Sequence, residues 1–338
     1  MSVKSKSGMT LVELLVVLVI LAGLAVSVAV SSSGMLDRSR VEKTRMQGEA
    51  MRAALTRVDG LNLACDMGRM PNPAQPGELA LLVSRAFRED VQHAEGDEGP
   101  LDANTAGDGA LKFAPLYREY TMLELKSSIT NNPANYALLD AFLAKATVSN
   151  IWRTATVGGG WRGPYCTACA QDGANQLLPD PFGGLWNFAE DGALLSLVSY
   201  GSDRLSDADA AAETNDWRTA DLKFPVCVTN DTASLSVEWD PSALSSTGTV
   251  LVCCLAPRLN IDLEEDGDGI CKMTPAAFAS AVGMSSGGGI SLEGLSPGNW
   301  CVFIGVDAGE NGIYAAPVRA VSLQTGPKTV RFNLMKCE

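Results

Sequence analysis

Histidine is almost absent from this chain, and its scarcity narrows the chemistry that the protein can perform. His93 is the only imidazole in 338 residues, so a site built from several histidines is excluded and a catalytic triad with a histidine base is not expected. Positive charge is also in short supply, because 26 lysines and arginines face 39 acids, for a net charge of −13. We therefore expect no nucleic-acid partner, since no basic stripe is available to neutralise phosphates.

Cysteine, by contrast, is plentiful. Nine cysteines are many for a reducing cytosol and indicate an oxidising compartment. The Cys166-x-x-Cys169 spacing lacks the βαβ surroundings of a thioredoxin-type redox motif, and it lacks the second pair or the histidines of a zinc site. We expect structural disulfides here, and the sequence leaves open whether the two cysteines bond to each other or to distant partners.

The N-terminus places two lysines before a long apolar run. Lys4 and Lys6 precede Gly8, and residues 14–30 carry no charge. At about 1.5 Å per residue, this run spans roughly one bilayer core, and the lysines predict that the rest of the chain faces outward. A secretory signal would have its small-residue cleavage site after the apolar run, whereas Gly8 lies before it.

Glu13 is the one acid near the start of this apolar region, five residues after Gly8. A carboxylate in hydrocarbon is costly and usually marks a functional site. This order of basic leader, glycine, hydrophobic start and glutamate resembles the type IV pilin class. The resemblance implies cleavage between Gly8 and Met9 by a prepilin peptidase, N-methylation of Met9, and pairing of Glu13 with the Met9 amine of a neighbouring subunit. The alternative is a plain signal anchor with a chance glutamate.

A helical pattern continues beyond the apolar run. Met51, Leu55 and Val58 lie at positions i, i+4 and i+7, on one face of a helix, and Gly60 is a suitable stop. We predict a leader over 1–8 and a single transmembrane and spine helix over 9–60.

Four later stretches are similar in sequence and order to motifs of the major, G-type pseudopilin of type II secretion. They are GRMP at 68–71, GWRGPY at 160–165, DPFG at 180–183 and SYGSD at 199–203. The resemblance implies a globular domain over 61–220, in which the spine helix packs on a small antiparallel sheet. Residues 86–157 form an insertion in that domain, with extra helices predicted at 111–125 and 136–145.

The resemblance also implies a structural calcium ion in the loop that follows the last of these stretches. The candidate ligands are the Tyr200 carbonyl and the carboxylates of Asp203, Asp207, Asp209 and Asp216. Clustered carboxylates suit a hard cation that takes six to eight oxygens. The alternative is a solvated acidic loop, and the arginine that follows Asp203 departs from the family pattern.

The remaining segment, 221–338, changes to a period-two alternation. Leu235, Val237 and Trp239 alternate with polar residues, and similar runs recur at 290–292, 300–304 and 330–334. This alternation, with turn signals between the runs, predicts a β-sandwich module displayed on the fibre surface. The fold class is thus α+β.

Two further motifs are weak. Residues 262–269 imitate an EF-hand loop but end on Met273 where glutamate is required, so an acidic hairpin is favoured over a second calcium site. The G-x-S-x-G pattern around Ser285 is rejected as a nucleophile, because it lies in a Ser/Gly-rich linker and no histidine follows it.

These observations favour a structural subunit and not an enzyme. The resemblance implies a pseudopilus subunit of type II secretion, anchored in the bacterial inner membrane by a single pass with its globular part in the periplasm. Its partners would be copies of itself or other pseudopilins, the prepilin peptidase and the inner-membrane assembly platform. The alternative is a minor type IV pilin-like surface protein whose C-terminal β domain binds a ligand or an exported substrate.

Overall fold

One long helix leads the chain. The structure, a computed structural model, describes residues 11–56, 62–72, 76–88, 111–127, 133–169, 177–191, 194–202, 220–228, 232–244, 246–260, 272–324 and 326–337. Helix α1 (Leu11–Thr56) is continuous, which confirms the predicted spine, while Val58 and Gly60 lie outside the described residues. Its second half buries one stripe at helical spacing, namely Val41, Thr44, Gln47, Met51 and Leu55.

Short helices and strands follow α1. They are α2 (Leu63–Met67), a 3₁₀ helix (Pro76–Leu82), β1 (Ala86–Arg88), β2 (Leu111–Phe113), β3 (Arg118–Thr121), α3 (Met122–Ser127), α4 (Pro133–Leu143), α5 (Ala146–Thr154), β4 (Thr156–Gly159), β5 (Asn187–Asp191), β6 (Leu194–Ser199) and β7 (Leu222–Val228). Strands β5, β6 and β7 form an antiparallel sheet, and α1 packs on it. The predicted packing of the spine helix on a small antiparallel sheet is thereby confirmed.

The predicted helix over 111–125 is wrong for most of its length. Strands β2 and β3 occupy much of this range, and the helix begins only at Met122. Tyr120 is buried and pairs with Val157 of β4, so pairing with a distant strand prevails over helix propensity here. Thr121 and Glu124 then exchange side-chain and backbone hydrogen bonds at 2.8 and 3.3 Å. This capping box fixes the start of α3. The helix predicted at 136–145 is confirmed by α4.

After β7, the described residues of the C-terminal segment form nine strands in two sheets. They are β8 (Ala233–Trp239), β9 (Thr249–Asn260), β10 (Lys272–Met284), β11 (Gly289–Leu295), β12 (Gly298–Asp307), β13 (Ile313–Ala315), β14 (Arg319–Leu323), β15 (Gly326–Phe332) and β16 (Met335–Cys337). The larger sheet runs β10-β9-β12-β13-β16, with β14 also on β12, and the smaller runs β11-β8-β15. Every second residue of β8 is buried, as the alternation predicts.

The larger sheet is covered on both faces. One face meets the smaller sheet through an apolar core that includes Val237, Val252 and Val302. The other face is covered by the 118–157 segment, whose Phe142 and Trp152 rings contact Phe303 edge to face at 6.2 and 5.4 Å. The segment that resembled an insertion therefore packs on the C-terminal strands.

Further contacts join the turn after α2, and strand β4, to the same strands. Arg69 Nε donates to the Leu259 carbonyl at 2.9 Å, and Asn299 donates to the Gly158 carbonyl at 3.3 Å. Gly68 has a φ of +69°, and a Cβ there would lie 2.2 Å from the Pro257 carbonyl oxygen. Only glycine fits this approach. The division of the chain at 220 stays a prediction, but packing crosses it at several points.

Candidate assembly and processing site

The first half of α1 is an apolar cylinder with its side chains outward. Leu11, Val19 and Val26 expose 81%, 65% and 64% of their surfaces, and apolar neighbours around the helix are similarly exposed. A helix that is apolar on all sides requires a nonaqueous environment or a partner on every face. Residues 11–27 are therefore the surface on which assembly can occur.

Glu13 is the acidic residue in the first turn of α1. The positive end of the helix dipole favours a carboxylate at this position. Gly8 and Met9 lie outside the described residues, so the predicted cleavage site and the pairing of Glu13 with an amine stay predictions. In the described part of the chain, no helix has both the length and the apolar character needed to cross a membrane.

The second half of α1 is held firmly against the globular part. Gly48 allows Phe224 of β7 to pack directly on the helix backbone, since a Cβ there would meet the ring at 2.4 Å. Gln47 reaches further and donates from Nε2 to the Ala168 carbonyl at 3.0 Å. The helix thus joins an exposed apolar half to a half that is fixed to the body of the protein.

Residues 3–31 match the prokaryotic N-terminal methylation motif. This chain carries a type IV pilin-like prepilin signal. The motif indicates a structural subunit that is processed by a prepilin peptidase, anchored by its N-terminal helix and polymerised into a pilus-like structure. No curated protein and no solved structure matches the chain.

The GWRGPY stretch meets the helix that precedes GRMP at a buried ion pair. Arg162 of GWRGPY donates to both carboxylate oxygens of Asp66, at 3.1 and 2.8 Å, and the Tyr165 hydroxyl donates to the same carboxylate at 3.0 Å. The Asp66 side chain is fully buried. Burial raises the pKa of Asp66, and the hydrogen bonds and charge of Arg162 oppose that rise. The pair fixes α2, directly after the spine helix, to the GWRGPY turn.

A second buried carboxylate organises the GRMP turn. Arg69 donates to both oxygens of Glu78, at 2.8 and 3.1 Å, and the Asn72 backbone N–H also donates to Glu78 at 2.8 Å. Sequence reasoning did not single out Asp66 or Glu78. One signal was available in the sequence, since each acid lies within a short apolar stretch, LACDM or PGELALL. An acid in such a stretch indicates a buried carboxylate, and a buried charge requires a partner.

The other two stretches meet at Asp180. Its carboxylate accepts from the backbone N–H groups of Phe182 and Gly184 at 2.9 and 2.8 Å, which closes the DPFG turn. The Ser199 hydroxyl donates to the same carboxylate at 2.6 Å. Ser199 also pairs with Leu222 across β6 and β7. Both ends of the acidic loop are therefore held together at one end of the sheet.

Most of the predicted calcium ligands lie in the loop that follows Ser199. Tyr200 is described and directly follows β6, whereas Asp203, Asp207, Asp209 and Asp216 lie outside the described residues. Among the residues that are described, no group of three or more acidic, cysteine or histidine side chains is arranged to hold a metal ion. Calcium at this loop stays a prediction, and the carboxylate donor set suits a hard cation.

Three motifs from the sequence remain to be placed: the serine motif, the second acidic loop and the cysteine pair. Ser285 is 1% exposed, and its hydroxyl accepts from the Gly248 backbone N–H at 2.8 Å, so it serves a tight turn between β10 and β11. Residues 262–269 lie outside the described residues, although the flanking strands β9 and β10 pair as a hairpin. Cys166 and Cys169 are buried with their sulfur atoms 3.6 Å apart.

Proposed function

We propose that this chain is a structural subunit of a type II secretion pseudopilus, similar to the G-type pseudopilin. The prepilin signal at residues 3–31 carries the proposal, and the two halves of α1 support it. In this proposal the peptidase cuts after Gly8, and Glu13 pairs with the methylated amine of Met9 on a neighbouring subunit. The subunit remains in the inner membrane, with its globular part in the periplasm, until the assembly platform adds it to a fibre of copies or other pseudopilins.

The mature N-terminus is the first test. Mass spectrometry of the full-length protein isolated from membranes is expected to find an N-methylated first residue at Met9. A chain that still begins at Met1, or that begins after the apolar run, would contradict the proposal at its base.

Glu13 provides the second test. Glu13→Ala is expected to abolish fibres while the membrane pool persists, because the Met9 amine then has no carboxylate partner in a dry interface. Glu13→Asp, which retains the charge, should restore part of the assembly. Glu49→Ala is the matched control, since Glu49 is exposed on the same helix and pairs with Arg52 within one turn. Unchanged fibres in the Glu13→Ala strain would contradict the assembly role.

We also propose that the loop with Asp203, Asp207, Asp209 and Asp216 binds calcium for stability, with the Tyr200 carbonyl as a further ligand. Calcium is expected to raise the thermal midpoint of the full-length protein relative to a chelator, and Asp207→Asn/Asp209→Asn should remove that shift. Asp266→Asn/Asp268→Asn, in the other acidic loop, is the matched control. A wild-type protein without any shift would contradict the calcium site.

A minor pilin-like surface protein that binds a ligand or exported substrate is the second candidate. It is favoured by a cleft of about 300 Å³ between α4 and the turn after β12, lined by residues that include Phe142, Lys145 and Asp307. Gene deletion separates the two candidates. Loss of type II export, restored by the wild-type gene and not by Glu13→Ala, supports the pseudopilus. Normal export with lost surface binding supports the second candidate.

A further inference from the structure

Two cysteines directly after the GWRGPY turn face each other inside the apolar core that α1 forms with the 3₁₀ helix and the β5–β7 sheet. The Sγ atoms of Cys166 and Cys169 are 3.6 Å apart, and the two residues expose 3% and 8% of their surfaces. Thr167 and Ala168 between them are exposed. The turn therefore buries its thiols while Thr167 and Ala168 remain accessible from solvent.

The surroundings hold this turn at both ends. The Cys166 backbone N–H donates to the Leu82 carbonyl at 2.9 Å, and the Ala168 carbonyl accepts from Gln47 of α1 at 3.0 Å. Because both ends are fixed, the backbone of the turn cannot open without breaking a contact to the 3₁₀ helix or to the spine.

The same turn stabilises a thiolate at its first cysteine. The Cys169 thiol and the backbone N–H groups of Ala168 and Cys169 donate hydrogen bonds toward the Cys166 sulfur, and they lower its pKa to about 6 against the opposing effect of burial. The other cysteines whose side chains are described have raised pKa values, with burial as the leading cause for Cys253, Cys254 and Cys301. Of these cysteines, Cys166 is thus the one that forms a thiolate most readily.

We propose that Cys166 and Cys169 form a disulfide with each other once the globular part reaches an oxidising compartment. The bond closes the turn that receives Gln47, so it fixes covalently a contact between the spine helix and the body. This inference requires only that residues 166–169 lie outside the cytosol, and it does not depend on pseudopilus assembly.

The chemistry is an exchange with an external disulfide, either glutathione disulfide or a protein disulfide. The Cys166 thiolate attacks one sulfur of that disulfide, forms a mixed disulfide and releases the other sulfur as a thiolate. Cys169 then loses its proton and attacks the Cys166 sulfur, which releases the second sulfur. The two protein thiols are oxidised by two electrons, and the external disulfide is reduced to two thiols.

A tryptic digest isolates the pair, because the fragment 163–204 contains Cys166 and Cys169 as its only cysteines. The full-length protein from membranes is quenched in acid, unfolded with N-ethylmaleimide and digested. Fragment 163–204 is expected to be unalkylated and lighter by two hydrogens than the dithiol. After reduction it should take two maleimides. Fragment 273–319 has Cys301 as its only cysteine and is expected to be alkylated without reduction, which checks the quench.

Two outcomes would overturn the inference: a fragment 163–204 that takes two maleimides without reduction, or one that is bonded to a peptide containing another cysteine. Cys166→Ser and Cys169→Ser each should leave one alkylated thiol in the fragment. In the reduced protein, oxidation by glutathione disulfide should accelerate about tenfold per pH unit up to about pH 6 and then level off, because the thiolate forms as the pH rises through its pKa. A rate that keeps rising to pH 9 would contradict the role of the Cys166 thiolate.

Discussion

At the residue scale, two buried carboxylates hold the globular part together near the end of the spine. Asp66 and Glu78 are both fully enclosed, and each accepts two hydrogen bonds from one arginine. A buried charge is costly without a partner, and the fork of an arginine matches both oxygens of a carboxylate. These pairs therefore specify one arrangement of the turns that they connect.

Asp66→Asn tests this assignment. The change removes the charge but retains the size, so Arg162 and Tyr165 lose a charged acceptor. We expect a loss of about 2 kcal/mol in the free energy of unfolding, below the usual cost of breaking a buried pair because the Arg162 side chain is 39% exposed and can be hydrated. Urea unfolding of the full-length protein in detergent measures it.

Glu238→Gln is the control for that variant. Glu238 pairs with Arg331, whose side chain is 78% exposed, and such exposed pairs contribute less than about 1 kcal/mol. Equal losses in the two variants would show that burial of Asp66 has no energetic weight.

At the scale of elements, the contact between the spine helix and the sheet depends on a missing side chain. Gly48 lies inside α1, where glycine costs about 1 kcal/mol relative to alanine. The Phe224 ring occupies the space that a Cβ would need and also contacts Trp186 at 5.8 Å between ring centroids. The close packing of the ring on the helix offsets the poor helix propensity.

Gly48→Ala is expected to destabilise the protein by about 1–3 kcal/mol in spite of better helix propensity, because the ring must move in a filled core. Thermal unfolding detects the change. Gly34→Ala, on the same helix with nothing within 4 Å of the added Cβ, should be neutral or slightly stabilising. Gly48→Ala/Phe224→Leu should recover part of the loss. A Gly48→Ala protein as stable as the wild type would contradict this packing.

The elements that could be predicted are those whose burial follows one simple period. Every second residue of β8 is buried, and the helical stripe through Met51 and Leu55 is buried as expected. The 111–125 range could not be predicted in this way, because its strands are short and Tyr120 is buried by a distant partner, Val157. Only the Thr121 capping box gave a local signal.

Only part of the candidate site could be predicted from the sequence. The prepilin signal follows from the sequence order around Gly8, because it depends on adjacent residues. The pairing of Asp66 with Arg162 could not be predicted, since these residues are 96 positions apart in the chain.

At the scale of the whole molecule, the larger C-terminal sheet packs on the 118–157 segment with one face and on the smaller sheet with the other. Phe303 of β12 contacts Phe142 and Trp152 on one face of the sheet, while Val302 belongs to the core on the other face. Removing 221–338 would expose the apolar side of α4 and α5. A tail deletion is therefore expected to affect folding as well as any binding function.

Phe303→Ala examines this dependence without a deletion. We expect a loss of about 3–5 kcal/mol in the free energy of unfolding, from the cavity among three aromatic rings. Limited proteolysis should show faster cleavage within 118–157, because the cover of that segment is loosened.

Phe332→Ala is the matched control. Phe332 is 1% exposed in the core between the two sheets, so its loss should destabilise the protein without selective cleavage in 118–157. Identical cleavage patterns in the two variants would contradict the conclusion that Phe303, and not Phe332, covers the 118–157 segment.

The two-faced sheet also sets an order of events during synthesis and export. Cys301 donates to the Thr156 carbonyl from 145 residues away, and the rings around Phe303 have comparable separations. A chain that emerges from its N-terminus thus completes residues 118–157 long before their cover exists. Such non-local contacts slow folding and leave apolar surface exposed in the meantime. We therefore expect this protein to depend on chaperones in the compartment where it folds, for as long as the final strands have not arrived.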